Sequence, residues 1–308
     1  MGLSRQDRAA RLAEVQAFAR DRVAPAAASW SQGASPAPEM FAQAGALGLT
    51  RLQLAEADGG LGLGFAAKVR AAEVLAGADF GFAMSVVNTQ NAALKIAERG
   101  SEALKARHLA PLLTGEASAC TALTEPGAGS DFGAVRRASG LFMEILPLGA
   151  ELPPGEAFRA ILAEINGARA YVAAMACGML QAALAEAAAY GARRKSFGKP
   201  LAGHQAWRMG LAQAGVDLAA ARALTAQAVA AVEADEGSEA SQRLSAQAKV
   251  FATDACLRRL PELMHAMGAE GLAPDRPFAR HLAAAQSATL TDGSTEMLLE
   301  RLTRLGPG

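Results

Sequence analysis

The sequence predicts a mainly α-helical protein with an N-terminal helical domain and a C-terminal four-helix bundle. Hydrophobic residues make up 51% of the 308 residues and aromatic residues only 5%, so the apolar content is mostly Ala, Leu, Val and Met. Ala and Leu are strong helix formers, and the Ala-rich stretches recur at helix-like lengths. We place the N-terminal helical domain at 1–118, a middle segment at 119–158 and the bundle at 159–308.

The N-terminal domain is built from segments with helical spacing, separated by turn residues. A Ser/Pro break at 35–38 and a glycine-rich turn at 54–62 divide them. The last segment begins after Ser101, which suits an N-cap because a serine hydroxyl accepts from exposed backbone N–H groups. The predicted helices lie within 4–31, 37–47, 64–77, 80–98 and 101–114.

The bundle is predicted from long segments with few helix breakers, at 160–194, 201–234 and 240–267. Long antiparallel helices joined by short loops are typical of four-helix bundles, and no strand alternation is found in this half. Its most apolar run, 170–180, is too short to span a bilayer and indicates a buried helix. Before it, only 140–148 has strand character.

Composition and charge narrow the function. Lys plus Arg and Asp plus Glu are balanced at 30 each, which gives no electrostatic case for nucleic acid or an anionic membrane as a partner. Cys120, Cys177 and Cys256 lack metal-site spacing, so we expect buried free thiols in a reducing cytoplasm. The polar N-terminus has no signal-peptide core. We therefore expect a cytoplasmic protein with no membrane span and no metal.

The most informative motif is Thr-Glu-Pro-Gly-Ala-Gly-Ser-Asp at 124–131, preceded by Cys-Thr-Ala-Leu. Pro126 fixes one φ angle, while Gly127 and Gly129 permit sharply bent backbone. Such a segment can aim N–H groups and hydroxyls at an anionic or carbonyl-bearing ligand. An ordinary Pro/Gly turn is the alternative. The full string resembles the flavin- and thioester-binding signature of the acyl-CoA dehydrogenases.

The resemblance implies FAD contacts in two segments. In the signature, Leu123, Thr124 and Ser130 are expected to bind the flavin, with Ser130 also at the substrate. The segment at 193–205 resembles the family's dimer-crossing segment, which binds the flavin of the neighbouring subunit. A guanidinium pairs well with pyrophosphate; a solvated helix end is the alternative. The residues of this second segment implied to bind the cofactor are Arg194, Ser196, Phe197 and Gln205.

Two further segments resemble the family. His265 and Gly268 lie in a glycine turn similar to the one that supports the adenosine half of the partner's flavin, with His265 where Gln is usual. A helix C-cap by Gly268 is compatible with both interpretations. Asn166-Gly167-Ala168-Arg169 resembles the start of the first bundle helix, which implies that Arg169 approaches the substrate.

The segment 289–297 resembles the family's catalytic loop, in which a carboxylate before Gly-Thr removes the α-proton of the thioester. Asp292 has that position, where Glu is commoner. Burial beside an apolar acyl chain raises the pKa of a carboxyl group and makes it a stronger base. A turn Asp is the alternative. The resemblance also implies substrate contact by Gly293 and cofactor contact by Ser294 and Glu296.

The family places a β-sheet domain between the signature and the bundle. Its seven or eight strands would need roughly 70–100 residues, and only 132–154 is available here. We expect a short linker or one to two strands in its place. Loss of that domain would expose the flavin site to water.

The function implied is FAD-dependent α,β-dehydrogenation of an acyl thioester in lipid metabolism, with the acyl group on CoA or an acyl-carrier protein. We expect a homo-oligomer or a hetero-oligomer with a full-length relative, and an electron-transfer flavoprotein as the electron acceptor. Two alternatives stay open. One is a non-catalytic or flavin-free subunit that completes a partner's active site; the other is a lyase, isomerase or cyclase on the same scaffold.

Overall fold

A computed structural model describes residues 5–120 and 156–306 and confirms a mainly helical protein. The helices before the gap are α1 (Arg5–Phe18), α2 (Ala24–Trp30), α3 (Pro38–Ala46), α4 (Gly64–Ala78), α5 (Phe80–Arg99), α6 (Glu102–Leu104) and α7 (Ala110–Thr114). Those after it are α8 (Glu156–Arg193), α9 (Gln205–Ala234), α10 (Glu239–Ala266), α11 (Phe278–Leu290) and α12 (Thr295–Leu305). The signature at 124–131, with Leu123, Thr124 and Ser130, and the strand-like segment at 140–148 lie outside the described residues.

Helix ends in the first half follow local sequence signals. The Ser101 hydroxyl accepts from the Leu104 N–H at 3.3 Å, which is the predicted N-cap. An Asp79 carboxylate oxygen accepts from the Phe82 N–H at 2.8 Å and caps α5 in the same way. Helix α1 continues through a π-helical turn, Ala19–Val23, into α2, so 5–30 is helical throughout, in agreement with the helix predicted within 4–31.

The bundle consists of α8, α9 and α10, of 38, 30 and 28 residues, together with α11. Within residues 156–306 the structure contains one feature that the sequence analysis, which finds no strand alternation in this half, does not predict. Strands β1 (Lys195–Ser196) and β2 (Lys199–Pro200) pair antiparallel as a hairpin. Strands of two residues are too short to show alternation. The turn has φ of 49° at Phe197 and 79° at Gly198, and positive φ at both central residues is typical of a tight hairpin.

One hydrophobic core joins the two sides of the gap. It contains Val15, Phe82 and Leu75 from the first part and Met175 and Leu260 from the second. Helices α4 and α8 approach closely enough that a glycine is required at the contact. A Cβ on Gly178 would lie 1.9 Å from the carbonyl oxygen of Glu73, so any side chain there would clash.

The cysteine prediction is partly wrong. Cys177 and Cys256 are buried free thiols, as expected, but Cys120 is exposed. Cys120 follows the last turn after α7 and lies outside any helix, so no helical packing covers it.

Two helical stretches are long and apolar enough to cross a membrane by length and composition. They are Ala163–Arg193, whose most apolar window is 61% buried inside the protein, and Gln205–Ala234, whose window is 28% buried. A core helix of a soluble protein passes the same test, and the burial of α8 agrees with the predicted buried helix at 170–180.

Candidate active site

Asp292 lies in the four-residue turn 291–294 between α11 and α12. Its φ is 56° and that of Gly293 is 104°, so both residues have left-handed backbone. Asp tolerates this conformation better than most residues, and glycine adopts it freely. The turn is closed by Ser294, whose hydroxyl accepts from the Met297 N–H at 3.4 Å and caps α12.

Two buried cations hold the backbone of this turn. Lys249 of α10 donates from Nζ to the carbonyl oxygens of Gly293 at 2.5 Å and Thr289 at 3.2 Å. Arg169 of α8 donates from Nε to the carbonyl oxygen of Asp292 at 3.1 Å. Its Nη1 also donates to the Asn166 Oδ1 at 3.0 Å. The geometry of the turn is therefore fixed by helices distant in sequence.

Lys249 is a site residue that sequence reasoning missed. Its side chain is only 1% exposed, beside the buried Ser245, Ala248 and Ala252 of the same helix face. A lysine on an otherwise small and apolar helix face was the available signal. Arg169 was predicted to bind substrate, and the structure places its guanidinium against the turn backbone.

The carboxyl group of Asp292 is free of the contacts that hold its backbone. Its Oδ2 is shielded from solvent and has no hydrogen-bond partner among the described residues. Burial raises the pKa of Asp292, while the charges of Lys249 and Arg169 partly oppose that increase. Burial likewise lowers the pKa of Lys249 to about 8 and that of Arg169 to about 10. Asp292 is therefore a desolvated carboxyl group suited to act as a base.

Asp292 borders a cavity of about 300 Å³ formed between α4, α5 and the part of α8 at 163–171. Both apolar and polar side chains form its walls. Lys68, Asn91 and Tyr171 line it, from α4, α5 and α8 respectively. None of these three was predicted from the sequence, because helical patterning does not show which polar side chains face inward.

Ser294 and Glu296, predicted cofactor ligands, lie beside the turn. Glu296 is exposed, and hydrogen bonds from its own backbone N–H and from the Ser294 hydroxyl lower its pKa. The structure therefore brings Asp292, Gly293, Ser294, Glu296 and Arg169 together.

The other predicted cofactor residues lie at the opposite end of α8. Arg193 ends α8 and follows Arg169 by 24 residues, which at 1.5 Å per residue is about 36 Å. Arg194 and Gln205 are exposed, the Ser196 carbonyl oxygen lies 3.0 Å from the His204 Nε2, and Phe197 is 96% exposed at the hairpin tip. These residues cannot reach a small ligand bound at Asp292 of the same chain.

The glycine turn after α10 lies near this hairpin. Trp207, at the start of α9, donates from Nε1 to the carbonyl oxygen of Ala266 at 3.1 Å, so the two segments meet at one end of the bundle. His265 is exposed, and Gly268 has a φ of 62° just after α10 ends. The exposed guanidinium of Arg194 and ring of Phe197, with the half-buried Ser196 between them, fit a dinucleotide bound from outside the chain.

Two family models match the chain in order. The acyl-CoA dehydrogenase N-terminal domain matches residues 5–116 and the acyl-CoA dehydrogenase C-terminal domain matches residues 155–305. The chain is 34% identical over 145 residues to a short-chain-specific acyl-CoA dehydrogenase of Megasphaera elsdenii, covering 47% of this chain and 37% of that protein. It is 31% identical over 141 residues to 3-sulfinopropanoyl-CoA desulfinase of Advenella mimigardefordensis, covering 46% and 34%. The alignments thus span only about a third of these relatives.

Solved structures share the fold. Butyryl-CoA dehydrogenase from Megasphaera elsdenii superposes with a TM-score of 0.84 at 24% identity, covering 99% of this chain and 98% of that chain. A glutaryl-CoA dehydrogenase in complex with glutaryl-CoA gives 0.83 at 23% identity, covering 98% and 95%. An FAD complex of PigA gives 0.83 at 18% identity, covering 99% and 98%.

Proposed function

Because the chain belongs to the acyl-CoA dehydrogenase family, we propose that it dehydrogenates an acyl thioester between the α- and β-carbons, with Asp292 as the base. One observation carries the proposal. The Oδ2 of Asp292 is desolvated and unpartnered within the described part of the chain, at the border of a cavity, while its backbone is held by two cations. A carboxyl group in this state accepts a proton more readily than an exposed one.

Three residues of this chain have separate roles in the proposed reaction. Asp292 takes the α-proton on Oδ2, and the electron pair of the broken C–H bond becomes part of the new double bond. Lys249 and Arg169 hold the turn, so the aspartate side chain, which is shorter than the glutamate commoner in the family, keeps one orientation. Their charges lower the pKa of Asp292 and so keep its carboxyl group ionised over a wider pH range. When bound, FAD supplies the acceptor for the hydride of the β-carbon.

We propose that FAD is held across a subunit interface. The distance of about 36 Å along α8 between Arg169, beside Asp292, and Arg193 supports a second chain whose Arg194, Ser196, Phe197 and Gln205 reach the flavin beside Asp292. The partner is a second copy or a full-length relative, and the substrate is an acyl-CoA or an acyl-carrier-protein thioester. An electron-transfer flavoprotein is the proposed acceptor. Sedimentation should give an oligomer at micromolar concentration; a stable monomer would contradict the interface.

The experiment separates the base from the redox step. An acyl-CoA is incubated with the protein in D₂O, and both deuterium uptake at the α-carbon and bleaching of bound flavin are followed. Asp292→Asn should abolish both while keeping thioester binding, and Asp292→Glu should retain exchange if its longer reach is accommodated. Asp254→Asn, an exposed α10 carboxylate paired with Arg258 at 2.7 Å, is the control. Exchange at the wild-type rate in Asp292→Asn would remove Asp292 from the mechanism.

A base at the α-carbon also serves a second candidate, a lyase, isomerase or cyclase step without net oxidation. The 31% identity with a protein named 3-sulfinopropanoyl-CoA desulfinase supports this second candidate. Exchange at the α-carbon without flavin bleaching would support this candidate. The absence of both exchange and bleaching would favour the remaining alternative, a subunit that completes a partner's site.

A further inference from the structure

The cavity beside Asp292 contains a buried lysine that the proposed reaction does not use. Lys68 is 5% exposed and lines the cavity wall. Its Nζ donates to the Asn91 Oδ1 at 2.9 Å and lies 5.1 Å from the Phe65 ring centroid and 5.7 Å from that of Tyr171. An ammonium has three N–H groups, and one of them is used by Asn91.

Lys68 has no ion-pair partner in the part of the chain that the structure describes. Burial lowers its pKa to about 8, which leaves the group largely protonated at neutral pH. A buried ammonium without a carboxylate contact is costly, and ring faces compensate only part of that cost. The cavity therefore presents a cation that is not neutralised by direct contact.

A second donor lies next to this cation. The Asn91 Nδ2 donates to the Tyr171 hydroxyl oxygen at 3.4 Å, so the phenol accepts from Asn91 and its own hydrogen points elsewhere. Burial raises the pKa of Tyr171 well above its usual value and keeps it protonated as a donor. Lys68 and Tyr171 thus form a pair of donors joined by Asn91.

The charges of Glu236, Glu164 and Glu98 raise the pKa of Lys68, but among the described residues none of these groups forms an ion pair with it. Glu164 is engaged by Lys95 at 2.6 Å, and Glu98 is exposed. Glu236 lies against the backbone of α8, where a Cβ on Gly167 would be 2.7 Å from its Oε1. Burial raises the pKa of Glu236, and the charge of Lys68 opposes part of that increase.

We propose that Lys68 and Tyr171 bind a carboxylate carried by the acyl chain, so that the substrate is the monothioester of a dicarboxylic acid. This inference rests on the proposed function, because it needs the thioester end of the ligand at Asp292. The carboxylate would accept from the Lys68 ammonium and the Tyr171 hydroxyl. A simple fatty acyl chain would instead leave both donors buried without a partner, which is unfavourable.

The test is calorimetric binding, which needs no turnover. Succinyl-, glutaryl- and adipyl-CoA are each compared with their ω-amides, which have nearly the same shape but no charge. At least one acid should bind the wild-type protein roughly ten- to a hundredfold more tightly than its amide. Lys68→Met should remove this preference, and Tyr171→Phe should reduce it while keeping the ring. Lys105→Met, a lysine outside the cavity, should leave it unchanged.

The outcomes separate the two proposals. Lys68→Met removes a buried charge, so the variant should fold; Tyr171→Phe provides an independent reading of the same preference. If the wild-type protein binds the ω-amides as tightly as the acids, the assignment of Lys68 is wrong, and the proposal that Asp292 is the base is unaffected. If it binds no acyl-CoA, the proposed function is wrong as well. A preference that persists in both variants would also overturn the assignment.

Discussion

Replacing Lys249 by methionine tests whether its ammonium holds the turn that carries Asp292. Methionine has a similar length and no donor, so the carbonyl oxygens of Gly293 and Thr289 lose their partner. A buried acceptor left unpaired costs about 1–3 kcal/mol. The variant no longer has to bury a charged ammonium, and this gain offsets part of the energy lost with the two hydrogen bonds. The net destabilisation should be about 2–4 kcal/mol. For a chain of this length the melting temperature should fall by roughly 3–6 °C.

The same variant should change the pH dependence of α-proton exchange. The positive charge of Lys249 lowers the pKa of Asp292, so its removal raises that pKa. Exchange requires the carboxylate, so the pH below which it is lost should move upward. Misplacement of the turn should also slow exchange roughly ten- to a hundredfold at neutral pH.

Scanning calorimetry and a pH series of deuterium uptake measure these effects. Lys249→Arg keeps the charge and should retain more of both properties than Lys249→Met. Lys105→Met, outside the site, should match the wild type. A Lys249→Met protein with the wild-type melting temperature and pH profile would refute the role given to Lys249.

Three further predictions concern other parts of the chain. Gly178→Ala should destabilise the fold by about 1–3 kcal/mol through overpacking. Its control is Gly210→Ala, at a position with open space around it, which should stabilise the fold by roughly 0.5–1 kcal/mol. Equal melting temperatures of the two variants would disprove the close contact between α4 and α8. Burial lowers the pKa of Lys68 from 10.5 to about 8, so between pH 8 and 10.5 the unfolded protein binds more protons than the folded one. The stability of the wild type relative to Lys68→Met should therefore rise by about 3 kcal/mol across this pH range. Parallel curves of stability against pH for the two proteins would contradict this. Arg194→Ala should weaken FAD binding about ten- to a hundredfold and more than Lys195→Ala; equal dissociation constants in a fluorescence titration would show that the cofactor is misassigned.

The long helices could be predicted because their sequence determines them locally. Segments at 160–194 and 240–267 are rich in strong helix formers and contain few breakers, and the observed α8 and α10 lie within a few residues of those bounds. The hairpin at 195–200 could not, since its strands of two residues each carry no alternation and the turn depends on the backbone of Phe197.

The candidate site was only partly predictable. Asp292 was found from a loop that resembles a known family, but its burial depends on helices distant in sequence, such as α8, whose Arg169 contacts its backbone from 123 residues away. Lys249 and Lys68 were missed for the same reason. A helical pattern places a lysine on a face, and only the packing of other helices decides whether that face is buried. The assignments of the cofactor and substrate residues stay predictions.

The core shared across the gap has a consequence for how this chain could be cut. Val15, Phe82 and Leu75 on one side and Met175 and Leu260 on the other belong to one buried cluster. Two polypeptides ending and beginning near 120 and 156 would each expose half of that cluster to water. Burial of the shared surface would favour their recombination when mixed. The chain should therefore work as a split protein, with each fragment poorly folded alone and the pair restoring the cavity beside Asp292.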